Sequence, residues 1–276
     1  MSIVGSIILG LIQGITEFFP ISSSAHLIAA RYLFNIKDAA LGNFTFDIAL
    51  HFGTLMAILI FFFKDFLAMI KDGFKFKKNG VYSFRSLSWQ GKLLWYIIIA
   101  CIPAGIAGVL FDDIIEMYIR ESEYMPIIIA FTLGIMGVLL YLVDKKKDSQ
   151  IDIEHITLKQ ALVIGLGQMF AIIPGFSRSG TTMMVSRAEK LDRVSAAKFS
   201  FLLGAPVMAG AALLKFKDLN WCMIDLTFVI GVITSFVVGM ICIKFLMNVI
   251  QKVGFKYFAV YRIGLAIILI VTYIIR

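Results

Sequence analysis

Two short stretches of this chain hold polar groups in apolar surroundings. The first runs Gln13-Gly14-Ile15-Thr16-Glu17-Phe18-Phe19-Pro20-Ile21-Ser22-Ser23-Ser24-Ala25-His26. The second, Pro174-Gly175-Phe176-Ser177-Arg178-Ser179-Gly180-Thr181-Thr182, interrupts the apolar segment Ala161 to Ile173 and packs a Pro, two Gly, four hydroxyls and an Arg into nine residues. Gly-rich turns that aim backbone N–H groups and hydroxyls at one point beside an arginine bind phosphate. An arginine at membrane depth costs roughly 2.5–3.5 kcal/mol on insertion scales, so it requires a polar partner or a watery cavity. A cytoplasmic loop with a helix cap is the plain alternative. In the first stretch, Pro20 is placed to open a helix. Ser23 and His26 are then three residues apart and Ser22 and His26 four, so either hydroxyl can meet the imidazole. A histidine beside a hydroxyl serves as its base or attacks phosphorus itself.

Glu17 is an intramembrane carboxylate, which is a functional group by default and otherwise a structural partner for Arg178. Arg178, the helix termini and the hydroxyls suit a phosphate or diphosphate. A nearby Glu17 repels that anion unless it is protonated or a divalent cation bridges the two. The cation, Mg or Ca with Glu17 as its ligand, is the reading adopted. Asp47 and His51, four apart, read as an interfacial hydrogen bond, with a supporting pair or a metal site as alternatives.

These residues need a membrane scaffold. The 276 residues are 60% hydrophobic and only 16% charged, with mean hydropathy +0.90. A soluble domain is nearer half apolar and a quarter charged, so the chain reads as an integral membrane protein. Its apolar runs are continuous, which favours helices over a barrel. A net charge of +8 suggests nucleic acid in a soluble protein; here cytoplasmic loop cations explain it, and no nucleic-acid partner is expected. Cys101, Cys222 and Cys242 show no metal or redox spacing. No basic residue precedes Arg31, so a cleaved signal peptide is not expected.

Six spans follow from hydropathy: Asp47 to Phe63, Leu93 to Leu110, Tyr124 to Val143, Phe199 to Leu214, Leu226 to Ile243 and Phe258 to Ile275. Between Lys64 and Lys92 lie seven Lys/Arg and two Asp. Lys/Arg excess puts the loops at 64–92, 144–160, 186–198 and 244–256 inside, and the acidic loop with Asp112, Asp113, Glu116, Glu121 and Glu123 outside. Both flanks of 161–185 are then cytoplasmic, so that segment must dip in and return as a re-entrant hairpin. A weak repeat pairs Ile8-Leu9-Gly10-Leu11-Ile12-Gln13 with Val163-Ile164-Gly165-Leu166-Gly167-Gln168, Gly53 with Gly204, and Lys64-Asp65 with Lys217-Asp218. The expected architecture is all-α: one membrane domain over 1–276, with a first repeat at 1–143 carrying hairpin 1–45. A second, inverted repeat at 144–276 carries hairpin 161–197. Such repeats place a polar site near the midplane.

Both motifs, their spacing and the run Phe199-Ser200-Phe201-Leu202-Leu203 resemble the bacterial undecaprenyl-diphosphate phosphatase family of the bacitracin-resistance type, over nearly the whole chain. The resemblance implies a multi-pass protein of the bacterial cytoplasmic membrane. Its reaction would be hydrolysis of undecaprenyl diphosphate to the monophosphate that carries peptidoglycan precursors, at a site open to the outer face. The family's Glu/Gln-xxx-Glu pair falls on Gln13 and Glu17, its nucleophilic serine on Ser23 and its histidine on His26. Its arginine falls on Arg178, with Ser177 and Thr182 as phosphate contacts. Gln13, Ser22, Ser179 and Gly180 complete the expected phosphate-binding set. The family's usual Thr-Gly is Ser24-Ala25 here. Expected partners are the lipid diphosphate and the bilayer, with a homodimer as a candidate assembly. The alternative from another class is a polyprenyl-phosphate flippase, which uses the same phosphate-binding residues and needs no nucleophile.

Overall fold

With no water at hand, a chain in lipid must satisfy every backbone N–H and C=O inside its own segment, so long apolar runs become helices. The computed structural model describes residues 3–34, 44–78, 81–120, 122–145, 150–215 and 225–275. Five of its helices are long and apolar enough to span a bilayer: α5 (Trp89–Ile115, continued by a π-helical turn Glu116–Arg120), α6 (Met125–Asp144), α9 (Arg193–Leu214), α10 (Leu226–Val253) and α11 (Lys256–Ile275). A bent pair, α3 (Phe44–Phe61) and α4 (Phe63–Gly73), turns by 68° at Phe62 and makes the sixth candidate span. Side-chain caps mark several starts. Ser88 accepts from the Gly91 N–H at 3.1 Å before α5, and Asp192 from the Ser195 N–H at 2.8 Å before α9. The fold is the all-α integral membrane class expected; β1 (Lys77–Lys78) and β2 (Val81–Tyr82) form one two-residue antiparallel ladder.

Two further helix pairs are too short to cross. They are α1 (Ile3–Thr16) with α2 (Ser23–Leu33), and α7 (Leu158–Gln168), prolonged by a 3-10 turn at Met169–Ile172, with α8 (Arg178–Ala188). At 1.5 Å per residue α1 reaches about 21 Å, short of a hydrocarbon core of about 30 Å. α1 and α3 lie on α10, α6 on α11, and α5 on α4 and α7. Large apolar side chains such as Val109, Phe131 and Ile274 face outward. The centre holds Phe18 and Phe201 edge to face, with ring centroids 5.5 Å apart. It also holds buried Gln13, Glu17, Ser179, Thr182, Ser200 and Arg262. Polar groups collect inside because they have no partners in lipid.

Helix ends differ from the expected loops. Asp112 and Asp113 ride on α5, and Glu116 and Arg120 on its π-helical turn. The loop expected at 244–256 is helix through Val253, and 64–73 belong mostly to α4. Charge shows where a helix leaves lipid, and a backbone that bonds itself continues past that point. The basic segments also have a buried anchor. Asp144 accepts from Arg187 Nε at 3.2 Å, Arg193 Nε at 2.8 Å and the Phe255 N–H at 2.9 Å, tying the end of α6 to the end of α8, the start of α9 and the turn between α10 and α11. The polar patch Asn35 to Asn43, together with Glu121, Lys146, Lys147, Lys217, Asp218 and Cys222, lies outside the described residues.

Candidate active site

Both broken pairs restart their second helix in the same way. Ser22 and Ser177 have φ of 77° and 71°, in the positive region that favours glycine. Each caps the helix that follows: Ser22 Oγ accepts from the Ala25 N–H at 3.4 Å, and Ser177 Oγ from the Gly180 N–H at 3.0 Å. Such backbone costs about 1–3 kcal/mol and persists only where surroundings enforce it. Here they do. Ser179 Oγ donates to the carbonyls of Glu17 (3.0 Å) and Phe19 (3.1 Å), so the tip of one pair is bonded to the tip of the other.

The second clamp is Arg262, fully buried on α11. It donates to the carbonyls of Pro20 (3.0 Å), Gly175 (2.7 Å), Phe176 (3.3 Å) and Leu133 (3.3 Å). The first three are groups that the two chain breaks leave without helical partners, and the fourth lies within α6. Gly175 has φ 95° and lies where a Cβ would overlap the Thr132 hydroxyl. Arg262 was not singled out from sequence, although an arginine inside the apolar run Phe258 to Ile275 is the signal that finds it.

Glu17 lies between the tips, buried. Arg178 Nη2 donates to Oε1 at 2.9 Å. Ser23 Oγ donates to Oε2 at 2.6 Å, and Gln13 Nε2 to the same oxygen at 3.0 Å. His51 Nε2 stands 3.5 Å from Oε2. Arg178 Nη1 is anchored on the Ser200 carbonyl at 3.1 Å. A cavity of about 1190 Å³ opens on this cluster and is lined by Glu17, Ser23, His51, Ser177, Arg178 and Ser179 among others. It extends to Asp112 and Glu116 at the end of α5 and Lys215 after α9, where Lys215 Nζ bridges Asp112 (2.5 Å) and Glu116 (3.4 Å).

The structure thus brings together Glu17, Ser23, Arg178 and Gln13, with Ser22, Ser177 and Ser179 at the cavity wall. His26 departs from expectation: its ring meets neither serine hydroxyl. Nδ1 is 2.6 Å from the Ser22 carbonyl, which can only accept, so Nδ1 carries the proton. Nε2 of the neutral ring then accepts from Tyr261 OH at 2.9 Å, with the two rings stacked. Ser23 turns to Glu17 instead. Gly180 and Thr182 sit behind the cavity wall. The Thr182 hydroxyl bonds Ser200 Oγ on α9 at 2.5 Å and the Arg178 carbonyl of its own helix at 2.8 Å. The Asp47–His51 pairing also resolves differently. The Asp47 carboxylate takes Arg31 through two bonds (2.8 and 2.5 Å), and His51 Nδ1 donates to the Asp47 carbonyl at 2.8 Å. That leaves His51 Nε2 facing Glu17.

Among the described residues there is no cluster of three or more His, Cys, Asp or Glu able to cage a metal. The residues do fit a cation carried on a diphosphate. Gln13 Oε1 is buried without a partner beside the Glu17 carboxylate, and hard cations of this kind bind through one or two protein oxygens plus substrate phosphates.

Sequence comparison adds relatives. The profile of the family described as bacitracin resistance protein BacA matches residues 6–268. A Caldicellulosiruptor bescii protein named undecaprenyl-diphosphatase is 42% identical over 278 residues, covering 100% of this chain and 99% of that protein. One of the same name from Moorella thermoacetica is 40% identical over 276 residues, covering 100% of both. Another from Elusimicrobium minutum is 42% identical over 272 residues, 99% of this chain and 98% of that protein.

Proposed function

We propose that this chain, which belongs to the bacitracin resistance protein BacA family, hydrolyses undecaprenyl diphosphate to undecaprenyl phosphate and inorganic phosphate. It is a membrane-embedded hydrolase that returns the lipid carrier to peptidoglycan synthesis and thereby opposes bacitracin. The observation that carries the reading is the Ser23 hydroxyl aimed at the Glu17 carboxylate at 2.6 Å, beside Arg178 and at the wall of a large cavity.

The reaction proceeds through Ser23. Its Oγ attacks the terminal phosphorus while its proton passes to Glu17 Oε2, and the bond from phosphorus to the bridging oxygen breaks, releasing undecaprenyl phosphate. Arg178, whose Nε–H has no partner among the described residues, and the N-termini of α2 and α8 stabilise the charge on the transferred phosphoryl group. Water then attacks the phosphoserine and passes its proton to His51; the bond from phosphorus to Ser23 Oγ breaks, phosphate leaves, and Ser23 takes its proton back from Glu17. His26 serves by position: its Nδ1–H holds the carbonyl of Ser22, the strained residue before the nucleophile. Glu17 and Gln13 Oε1 would hold a divalent cation, which when bound neutralises part of the diphosphate charge.

The two helix pairs are read as re-entrant hairpins of an inverted repeat, supported by the matched caps at Ser22 and Ser177. The cavity is read as opening on the outer side, because its far end meets the acidic end of α5. The test is phosphate release from undecaprenyl diphosphate by purified protein in detergent, with and without chelator. Ser23→Ala is expected to lose activity, and a brief reaction of the parent with terminally labelled substrate is expected to leave label on Ser23. Label on His26 instead, or full activity of Ser23→Ala, overturns the route.

A further inference from the structure

Buried polar side-chain atoms in this protein are bonded almost throughout. Among the described residues four lack a hydrogen-bond partner: Gln13 Oε1, Arg178 Nε, and both Nε2 and Oε1 of Gln168. Gln13 and Arg178 both bond Glu17, so two of the four atoms belong to residues already placed in the site, and the other two belong to Gln168. Gln168 is the last residue of α7, 2% exposed, and it lines the cavity together with Arg178 and Ser177. Its neighbour on the same helix shows the ordinary arrangement. Gln160 Nε2 donates to the Glu189 carbonyl at 2.8 Å, and its Oε1 accepts from the Thr157 N–H at 2.9 Å.

A buried amide with neither end bonded is worse for the fold than a hydrocarbon of the same shape, because it has lost water and gained nothing. It persists where something that arrives later completes it. What arrives here is an anion. Nε2 carries two N–H donors, just beneath the surface of a cavity that Gln168 and Arg178 both line, and N–H donors at a cavity suit phosphate oxygens. Resting on the diphosphatase reading, we infer that Gln168 is a substrate-binding residue whose side-chain amide Nε2 donates to an oxygen of the diphosphate headgroup, alongside Arg178 Nε. Oε1 accepts from a water carried in with the headgroup. The second helix pair then contributes an amide and a guanidinium to the substrate, while the equivalent glutamine of the first, Gln13, holds Glu17.

Phosphate release from a C15 prenyl diphosphate and thermal unfolding, both in detergent, test this. Gln168→Leu is expected to raise KM about ten- to hundredfold, the worth of one hydrogen bond to a charged group, with a smaller change in kcat. Without ligand it is expected to unfold at the same temperature as the parent or higher, since the unpaired amide is gone. Gln168→Glu keeps the volume, sets a carboxylate against the anion, and is expected to raise KM further. In a Ser23→Ala background the same diphosphate raises the unfolding midpoint, and adding Gln168→Leu removes that rise. An unchanged KM with the rise retained overturns the assignment. So does a Gln168→Leu protein less stable than the parent without ligand, which marks the amide as structural. A parent that releases no phosphate, yet shows a Gln168-dependent midpoint rise, defeats the hydrolase reading and leaves this one standing.

Discussion

At the scale of the residue, Glu17 is the hinge of the chemistry. One oxygen takes Arg178 and the other takes Ser23 and Gln13, so a single carboxylate compensates a buried cation and orients the Ser23 hydroxyl proposed as nucleophile. Glu17→Gln preserves volume and removes both services. Phosphate release is expected to fall by about 10²–10⁴-fold, the usual contribution of a positioned base. Thermal stability is expected to fall with it, because Arg178, with its side chain 12% exposed, keeps its charge without a counter-ion. Undiminished phosphate release by this variant contradicts the assignment of Glu17 as base. Glu17, Ser23 and Arg178 were legible in the sequence because polar groups in an apolar run need partners, and these find each other. His26 and Thr182 were legible as polar residues but not by contact: helical spacing alone cannot tell that Tyr261, 235 residues away, claims the imidazole. His51 was legible as a histidine in a span, and its approach to Glu17 depends on how α3 packs.

At the scale of the element, the site exists because neighbouring helices leave room for its side chains. Gly204 on α9 is the clearest instance: a Cβ there would fall inside the Arg178 guanidinium, which is pinned between Glu17 and the Ser200 carbonyl. Gly204→Ala therefore swings Arg178 away from Glu17 while α9, a helix made of good formers, gains propensity. The expected result is phosphate release reduced to a few per cent or less, with a folded protein that still unfolds cooperatively on heating. Near-parental activity shows that Arg178 relaxes at no cost and that its observed pose is dispensable. The elements themselves were largely readable: the six apolar runs coincide with α5, α6, α9, α10, α11 and the bent pair α3–α4. Their ends were not. The 68° bend at Phe62 carries no Pro or Gly to announce it, and α10 runs on to Gly254 because nothing before that residue stops it. Arg262 is the converse case, a charge visible in a span but meaningful only once both chain breaks are seen to offer it their carbonyls.

At the scale of the whole molecule, the cavity must connect a lipid carrier to the tips of two helix pairs, and its direction fixes which leaflet supplies the substrate. Its far end meets Asp112 and Glu116, bridged by Lys215 between the ends of α5 and α9. The opposite ends of the helices carry Arg187, Arg193 and Lys252. Lys/Arg excess marks the cytoplasmic side, so the cavity's far end is expected to face outward, where a carrier lipid is left once its cargo has been used. This is a property of the assembled helices, because no one loop decides it. Labelling in intact cells checks it, in a protein whose Cys101, Cys222 and Cys242 are replaced by Ala. A membrane-impermeant maleimide is expected to label Asp113→Cys, exposed on α5, and to leave Lys252→Cys unlabelled until the membrane is permeabilised. The reverse pattern turns the molecule over, so that the same Ser23, Glu17 and Arg178 would draw substrate from the cytoplasmic leaflet.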